Sequence, residues 1–318
     1  MLRRALLLSP LLAAPVLAQP AWPSRPVRVV VPFPPGGSND AIARPLAESL
    51  ARQLGQTFVV ENRGGAGSTL GTAEVARAPA DGHALLVTSS TFATSAAVQP
   101  TPYSAARDLQ AVAIVAEAPL LMLAAPGFPA ATMDEAVALI RSRPGAVTYG
   151  SAGPGSIGHM AGALFALHAG ELNTVHMPYR GTGPVLNDML AGTVDLTFTS
   201  LSASAGLVGT GRLKLLGWTT ETVVAGWPAA PTPHASGLPD YEAGIWWAAI
   251  LRRGTPEAIR ERLNAAIRAA VAEARFAASL ASEGATAGVL PADAADARIG
   301  TELTKWRDVA SHANIRTE

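Results

Sequence analysis

Short apolar runs alternate with helical segments along almost the whole sequence, and this alternation constrains the fold more than any other feature. The first run, VRVVV at residues 27–31, is bounded by prolines and is apolar at nearly every position. Such a run is typical of a strand buried on both faces of a parallel sheet. Further segments follow in the order helix 38–54, strand 58–61, helix 72–78 and strand 84–88. This order predicts a parallel sheet with crossover helices.

The alternation restarts in the second third of the chain, which predicts a second α/β unit. Strands are predicted at 109–113, 120–124, 147–150, 173–177, 194–199 and 213–218, with helices at 133–142, 156–169 and 184–191. Residues 244–251 could form one more strand. The proline-rich stretch 225–241 is interpreted as a connection between the units, and helices are predicted at 256–273, 276–282 and 291–311.

Composition excludes several classes of protein. The 318 residues include 24 basic and 24 acidic side chains, so there is no net positive charge to hold nucleic acid. The absence of cysteine excludes a disulfide scaffold, a zinc finger and a thiolate nucleophile. With six scattered histidines and no metal motif, we expect neither a metal nor a cofactor.

The first 18 residues have the three-part pattern of a secretory signal. Arg3 and Arg4 precede an apolar run that ends at Val16-Leu17-Ala18, which suits cleavage near Ala18. The alternative is a buried N-terminal helix, although two prolines interrupt it. Because no cysteine follows the cleavage site, we expect a soluble exported protein without a lipid anchor. The sequence leaves Sec and Tat export open.

Three loops at predicted strand ends are rich in groups that bind anions. The first is PFPPGGSND at 32–40, where two glycines precede a helix whose free N–H groups would attract a carboxylate. Ser38 would cap this helix or contact a ligand. Asp40 would complement the helix dipole but repel an anion unless a water bridged them. An ordinary strand–turn–helix joint is the alternative.

The second loop is GSAGPGSIGHM at 150–160. Gly153, Gly155 and Gly158 formally match a dinucleotide-binding fingerprint. The match is weak because no Asp or Glu lies at the end of the next predicted strand, where the fingerprint requires one. A small anion at the helix N-terminus fits better, with Ser151, Ser156 and His159 as donors; for His159, a helix face without a ligand role is equally open.

The third loop, MPYRGTGP at 177–184, offers the planar guanidinium of Arg180 to a carboxylate, unless Arg180 pairs with Asp188 or Asp195.

Motifs for catalysis are absent from the sequence. The chain lacks a nucleophile elbow, an HExxH helix and a GxxxxGK[ST] loop, and its carboxylates at Glu61, Asp195 and Glu242 are isolated. We therefore expect a binding protein and not an enzyme.

The combination of motifs resembles the Bug-type periplasmic substrate-binding receptors of tripartite tricarboxylate transporters. The resemblance covers essentially the whole mature chain and is carried by five segments: WPSRPVRVVVPFPPGGSNDAIAR, VVENRGGAGSTLGTAEVARAPADGHALL, YGSAGPGSIGHMAG, MPYRGTGPVLNDMLAGTVDL and LPDYEAGIWWAAILRRGTPEAIRERLN. It implies a two-lobed flytrap in which each lobe is a mainly parallel sheet flanked by helices. Lobe 1 would comprise residues 19–104 completed by 226–318, and lobe 2 residues 105–225.

The resemblance also implies where a ligand binds. The 34–40 loop would hold its carboxylate largely through ordered waters, and the 151–156 and 179–181 loops would close from the other lobe, with hydroxyls added from 88–91. The residues predicted to bind the ligand are Phe33, Pro35, Gly36, Gly37, Ser38, Asp40, Ser89, Ser90, Ser151, Gly153, Gly155, Ser156, His159, Tyr179, Arg180, Gly181, Asp195 and Ser200. Thr199-Ser200 replaces an Asp-Asn pair that is usual in the family, so the class of substrate stays open.

The resulting prediction is a monomeric periplasmic receptor that passes a small organic acid to transporter membrane subunits. A receptor that presents its ligand to a sensor kinase is the main alternative. An exported hydrolase or dehydrogenase using the 153–158 loop is the other.

Overall fold

The computed structural model describes residues 22–316, so the predicted signal peptide at 1–18 lies outside the described residues. The strands are β1 (Val27–Val31), β2 (Phe58–Asn62), β3 (Ala84–Ser89), β4 (Leu109–Pro119), β5 (Leu121–Ala124), β6 (Thr148–Ser151), β7 (Val175–Pro178), β8 (Leu196–Thr199), β9 (Lys214–Trp218), β10 (Gly244–Arg252) and β11 (Thr286–Ala287). The α-helices are α1 (Ser38–Leu54), α2 (Thr69–Arg77), α3 (Thr91–Val98), α4 (Ala105–Asp108), α5 (Met133–Ser142), α6 (Ile157–His168), α7 (Thr182–Leu190), α8 (Leu201–Gly209), α9 (Glu257–Val271), α10 (Ala274–Glu283) and α11 (Ala292–His312).

The first sheet has six strands in the order β11-β4-β10-β3-β1-β2. β1 pairs in parallel with β2 and β3, and the valines at 27, 29, 30 and 31 are fully buried, as the apolar run predicted. β10 runs antiparallel between β3 and β4. We call this sheet and its helices the first unit.

The second sheet has five strands in the order β7-β6-β8-β5-β9. β6 is parallel to β7 and β8, whereas β5 is antiparallel to β8 and β9. We call this sheet and its helices the second unit. The predicted α/β architecture of two sheets flanked by helices is confirmed, with parallel strands supplemented by antiparallel ones in each sheet.

One predicted boundary differs from the structure. The division at 104/105 assigned residues 109–113 to the second unit, but β4 extends from Leu109 to Pro119 and pairs with β10 in the first sheet. Every residue of β4 except Glu117 is buried, and a continuously apolar strand contains no signal for the sheet that it joins.

The chain crosses between the sheets at Leu120 and again between β9 and β10. The buried hydroxyl of Thr219 lies where these crossovers meet. It accepts from the Leu120 N–H at 2.9 Å and lies 2.9 Å from the Leu120 carbonyl oxygen and 2.6 Å from that of Ala243. α11 also bridges the units, since it packs on α3 and β4 of the first and on α6 of the second.

Among the helices of residues 22–316, none has both the length and the apolarity needed to cross a membrane.

Candidate ligand-binding site

In both units, helices follow the carboxyl ends of parallel strands. α1 follows β1, α3 follows β3, and α6, α7 and α8 follow β6, β7 and β8. The first N–H groups of a helix have no partner within the helix and carry a partial positive charge. Both units therefore place the N-termini of helices at the carboxyl ends of parallel strands, and anion binding there stays a prediction.

Glycine shapes the loop at 32–40. Gly36 has a φ of +84°, and Gly37 is the N-cap of α1 in an extended conformation. The side chain of Ser38 does not cap the helix, so that alternative is wrong. Its buried hydroxyl has no hydrogen-bond partner within the described part of the chain, which leaves it available to a ligand or water.

Asp40 stabilises this loop from inside. Its carboxylate is only 5% exposed and accepts from the Gly36 N–H at 3.0 Å, from Arg44 Nε at 2.8 Å and from Asn62 Nδ2 at 3.0 Å. Burial would raise the pKa of Asp40, but these hydrogen bonds outweigh it and hold the pKa below its usual value. Because Arg44 neutralises the charge, the expected repulsion of an anionic ligand is largely removed.

The ENRGGAGS segment supports the same loop. Asn62 Nδ2 donates to the carbonyl oxygen of Phe33 at 3.1 Å, while Pro35 is exposed. A Cβ on Gly64 would lie 3.2 Å from Pro34, so only glycine lets the two loops approach this closely. Sequence reasoning missed Arg44 and Asn62, although the i,i+4 spacing of Asp40 and Arg44 was a signal for one of them.

In the second unit, the 151–156 loop is closed by its own serines. The Ser156 hydroxyl donates to the Gly153 carbonyl oxygen at 2.7 Å and caps α6 by accepting from the His159 N–H. The buried hydroxyl of Ser151 lies 3.1 Å from the same carbonyl oxygen and accepts from the Gly153 N–H at 3.2 Å. Both hydroxyls thus hold the loop, and their ligand role stays a prediction.

His159 is directed at the loop from behind. It is 5% exposed, and its Nδ1 accepts from the Gly155 N–H at 3.1 Å. Burial, with a smaller contribution from His176, lowers the pKa of His159 to about 3, so the ring is neutral at ordinary pH. His159 Nδ1 is therefore engaged within the protein, and the role of His159 as a donor to a ligand stays a prediction.

The two units meet at Gly155. Thr94 Oγ1 of α3 donates to the Gly155 carbonyl oxygen at 2.7 Å. Gly155 has a φ of +72°, and a Cβ there would lie 2.6 Å from Val98 and 3.2 Å from Ser95 of α3. A Cβ on Gly67 of the first unit would lie 2.7 Å from the hydroxyl oxygen of Ser95. Close packing around α3 therefore requires these glycines and brings the loops of both units together.

The third loop carries an arginine whose charge is uncompensated. Asp188 accepts from the Tyr179 hydroxyl at 2.6 Å, and Asp195 accepts from the Thr148 N–H at 2.8 Å, so neither acid pairs with Arg180. Within residues 22–316, exposed Arg180 has no hydrogen-bond or ion-pair partner. The Asp188 bond and burial raise the pKa of Tyr179 to about 12. Gly181, at a φ of +114°, is the N-cap of α7.

The remaining predicted residues divide between the two ends of their strands. Ser89 ends β3, and Ser90 and Ser200 are the N-caps of α3 and α8. Asp195 precedes β8, at the opposite end of that strand from Ser200, and is bound to Thr148. The structure therefore does not bring Asp195 together with the other predicted residues, and the predicted strand at 194–199 already placed it near the amino end.

Several buried polar groups of the first unit have no hydrogen-bond partner in the described part of the chain. On α1, in the loop before α2, at the end of β3, on α3 and on β10 they include Ser38 Oγ, Asn39 Oδ1, Ser68 Oγ, Thr88 Oγ1, Ser90 Oγ, Ser95 Oγ and Trp247 Nε1. Further examples, such as Trp22 Nε1 and Arg260 Nη2, lie elsewhere in the unit. Native proteins rarely bury such groups unpaired unless a ligand or water satisfies them. Sequence reasoning missed Ser68, Ser95 and Trp247; the hydroxyl-rich TFATS after β3 was the available signal.

Two cavities lie outside this arrangement of loops. One of about 620 Å³ is lined by Glu117, Thr220, Glu242, Arg298 and Lys305, beside the crossovers. The other, of about 390 Å³, lies behind the 151–156 loop and is lined by Tyr149, His159, His176 and His312 among others. Of the predicted ligand-binding residues, only His159 lines either cavity. The unpaired hydroxyls and the helix N-termini therefore lie outside both cavities, at the loops that follow the strands.

Comparison with known proteins identifies a family across most of the chain. The profile described as "Tripartite tricarboxylate transporter family receptor" matches residues 42–315. Protein BugT of Bordetella pertussis is 35% identical over 308 residues, covering 96% of this chain and 94% of BugT.

Two similar solved structures contain ligands. One is Rpa4515 of R. palustris with adipate, with a TM-score of 0.81 and 31% identity over 93% of this chain and 99% of that one. The other is MatC of Rhodopseudomonas palustris with bound malate, with a TM-score of 0.78 and 30% identity over 91% of this chain and 99% of that one.

Proposed function

The chain belongs to the family of tripartite tricarboxylate transporter receptors and is a solute-binding receptor, and we propose that it holds its ligand between the loops of its two units. The single observation that carries this proposal is the Thr94–Gly155 contact, which joins the two groups of helix N-termini beside the unpaired hydroxyls. The first and second units would then be the two lobes of a flytrap. On the strand pairing, we propose their division at Leu120 and between β9 and β10.

The ligand that fits these groups is a small carboxylate, and we favour a dicarboxylate. One carboxylate would bind the N-terminus of α1, where Arg44 neutralises Asp40. The other would bind Arg180, the uncompensated guanidinium at the start of α7. The adipate and malate bound to the two relatives are both dicarboxylates, which supports this choice.

Several properties of the whole protein belong to the same proposal. We place the receptor in the periplasm after cleavage near Ala18, as a monomer without a lipid anchor that delivers its ligand to transporter membrane subunits. It would not transform the ligand, because the hydroxyls of Ser151 and Ser156 are engaged within their own loop. His176 does lie 2.7 Å from Ser151, but the buried serine bonds the loop backbone as well.

The first test is ligand-dependent melting of the purified protein. A ligand that binds only the native state at 100 times its Kd adds about 2.7 kcal/mol to the free energy of unfolding. We expect adipate, malate or another dicarboxylate in a panel of mono-, di- and tricarboxylates, aromatic acids and amino acids to raise Tm by several degrees. Stabilisation by monocarboxylic amino acids alone, or by no compound in the panel, would contradict a receptor for dicarboxylates.

Arg180 provides the second test. Arg180→Gln should weaken binding of the active dicarboxylate by about tenfold or more, because hydrogen bonds to charged groups contribute about 1.5–3 kcal/mol. Arg180→Lys should restore only part of the affinity, since lysine lacks the planar fork. The matched control is Arg212→Gln, an exposed arginine at the far end of α8, which should bind as wild type in calorimetry. Equal affinity of Arg180→Gln and this control would exclude Arg180 from the site.

A further inference from the structure

Two histidines are stacked directly behind the 151–156 loop. His159 of α6 and His176 of β7 have ring centroids 3.8 Å apart and planes that differ by 7°. Tyr149 of β6 packs against His176 with a centroid distance of 4.9 Å. The three rings form a layer between the loop and the cavity of about 390 Å³.

Each imidazole bonds a different residue of the loop. The Gly155 N–H donates to His159 Nδ1 at 3.1 Å, and His176 Nε2 lies 2.7 Å from Ser151 Oγ. Because His159 Nδ1 accepts a hydrogen bond, it has no proton, and a neutral His159 ring carries its proton on Nε2. The stacked pair therefore bonds the loop near both of its ends.

The surroundings keep both rings uncharged. Burial lowers the pKa of His176 to about 4, and that of His159 to about 3. The other titratable groups around the cavity are Tyr149 from β6, Glu171 from the connection after α6, and His312 from the end of α11. Two charged rings at the stacking distance would also repel each other.

We propose that His159 and His176 are positioning residues that hold the 151–156 loop in its ligand-binding conformation. The inference rests on the proposed function. Gly155 is the residue of the loop that contacts α3 of the first unit. Its backbone is left-handed, and both its N–H and its carbonyl oxygen are hydrogen-bonded. His159 accepts its N–H, and Thr94 donates to its carbonyl oxygen. A loop released by His159 would lose the shape that fits against Ser95 and Val98.

The test is a pair of substitutions at His159. His159→Phe keeps an aromatic ring but leaves the Gly155 N–H buried without an acceptor, and we expect it to bind adipate or malate about tenfold more weakly. His159→Asn places an amide oxygen near the position of Nδ1 and should stay within about threefold of wild type. His312→Phe alters the same cavity without contacting the loop and should bind normally.

A second measurement does not depend on any ligand. Nitrogen chemical shifts of the His159 ring should show a neutral ring protonated on Nε2 between about pH 5 and 8, and the Gly155 amide should exchange faster in His159→Phe than in His159→Asn. A charged His159 at pH 7, or equal Gly155 exchange in both variants, would overturn the proposal. If the wild type binds neither acid, the proposed ligand fails while the ring shifts and amide exchange still decide the positioning role.

Discussion

At the residue scale, Asp40 is a buried carboxylate whose hydrogen bonds are satisfied within the loop before α1 and the elements around it. The sequence places an acid in the first turn of α1, where it complements the helix dipole. The structure adds three donors from Gly36, Arg44 and Asn62, which satisfy the carboxylate within the protein. The Asp40 charge is consequently balanced within the protein, which is compatible with the proposed binding of an anion at this helix end.

We expect Asp40→Asn to lower the free energy of unfolding by about 1–2 kcal/mol at pH 7. Hydrogen bonds to a charged group contribute about 1.5–3 kcal/mol, and the half-exposed Arg44 reduces the upper value. The pKa of Asp40 is lowered in the folded state. Its stabilisation is therefore complete above the unfolded pKa of about 3.9 and is lost as the pH falls through the lower folded pKa.

Urea unfolding at stepped pH measures this difference. The gap between wild type and Asp40→Asn should be constant from about pH 7 to 5 and should shrink below about pH 4. Asp308→Asn, at an exposed position of α11, provides the control and should show little gap at any pH. A gap for Asp40→Asn that persists unchanged at pH 3 would show that its charge is not the cause.

At the scale of elements, α1 and α3 differ in how clearly their sequences indicate a helix. α1 is predicted within its bounds, with Gly55 in the left-handed conformation at its end, because its two faces differ in polarity. α3 was not predicted. Six of its eight residues are buried, including Thr91, Thr94 and Ser95, so it has no polar face to establish a helical period. α8, with the sequence LSASAGLVG, was missed as well; it is short and rich in serine and glycine.

α3 contacts the second unit through Thr94, so the proposed function predicts that this contact affects ligand binding. Thr94→Val keeps the side-chain shape but removes the donor to the Gly155 carbonyl oxygen. We expect it to cost about 1 kcal/mol of stability and to weaken dicarboxylate binding severalfold, as measured by calorimetry. Thr72→Val removes a similar buried bond to the Ser68 carbonyl oxygen entirely within the first unit. It should cost comparable stability with less effect on affinity, and identical affinities for the two variants would argue against a ligand role for the contact.

At the scale of the whole molecule, both crossovers between the units lie within hydrogen-bond distance of one hydroxyl. Thr219 bonds the backbone at Leu120 and lies within hydrogen-bond distance of Ala243, so it ties the outgoing and returning chains together. Because these two segments connect the units covalently, any movement of one unit relative to the other has to change their backbone conformation. The side chain is fully buried, and its loss leaves the Leu120 N–H without this acceptor.

We expect Thr219→Val to lower the free energy of unfolding by about 2 kcal/mol and to change the association and dissociation rates of the dicarboxylate. Urea unfolding and stopped-flow binding measure the two effects. Thr301→Val, an exposed threonine on α11, is the control. Unchanged binding rates in a destabilised Thr219→Val would show that the threonine supports the fold without affecting movement of the units.

The sequence by itself determined the α/β alternation, most strands, the glycine-shaped loops at their carboxyl ends and the family. These features depend on local periodicity and on backbone conformations that particular residues permit. Tertiary structure decided that β4 joins the first sheet, that the Asp195 carboxylate bonds Thr148, and that His159 Nδ1 bonds the Gly155 N–H. Each depends on partners distant in the chain, and a buried strand or a lone polar residue has the same local sequence whichever partner it meets.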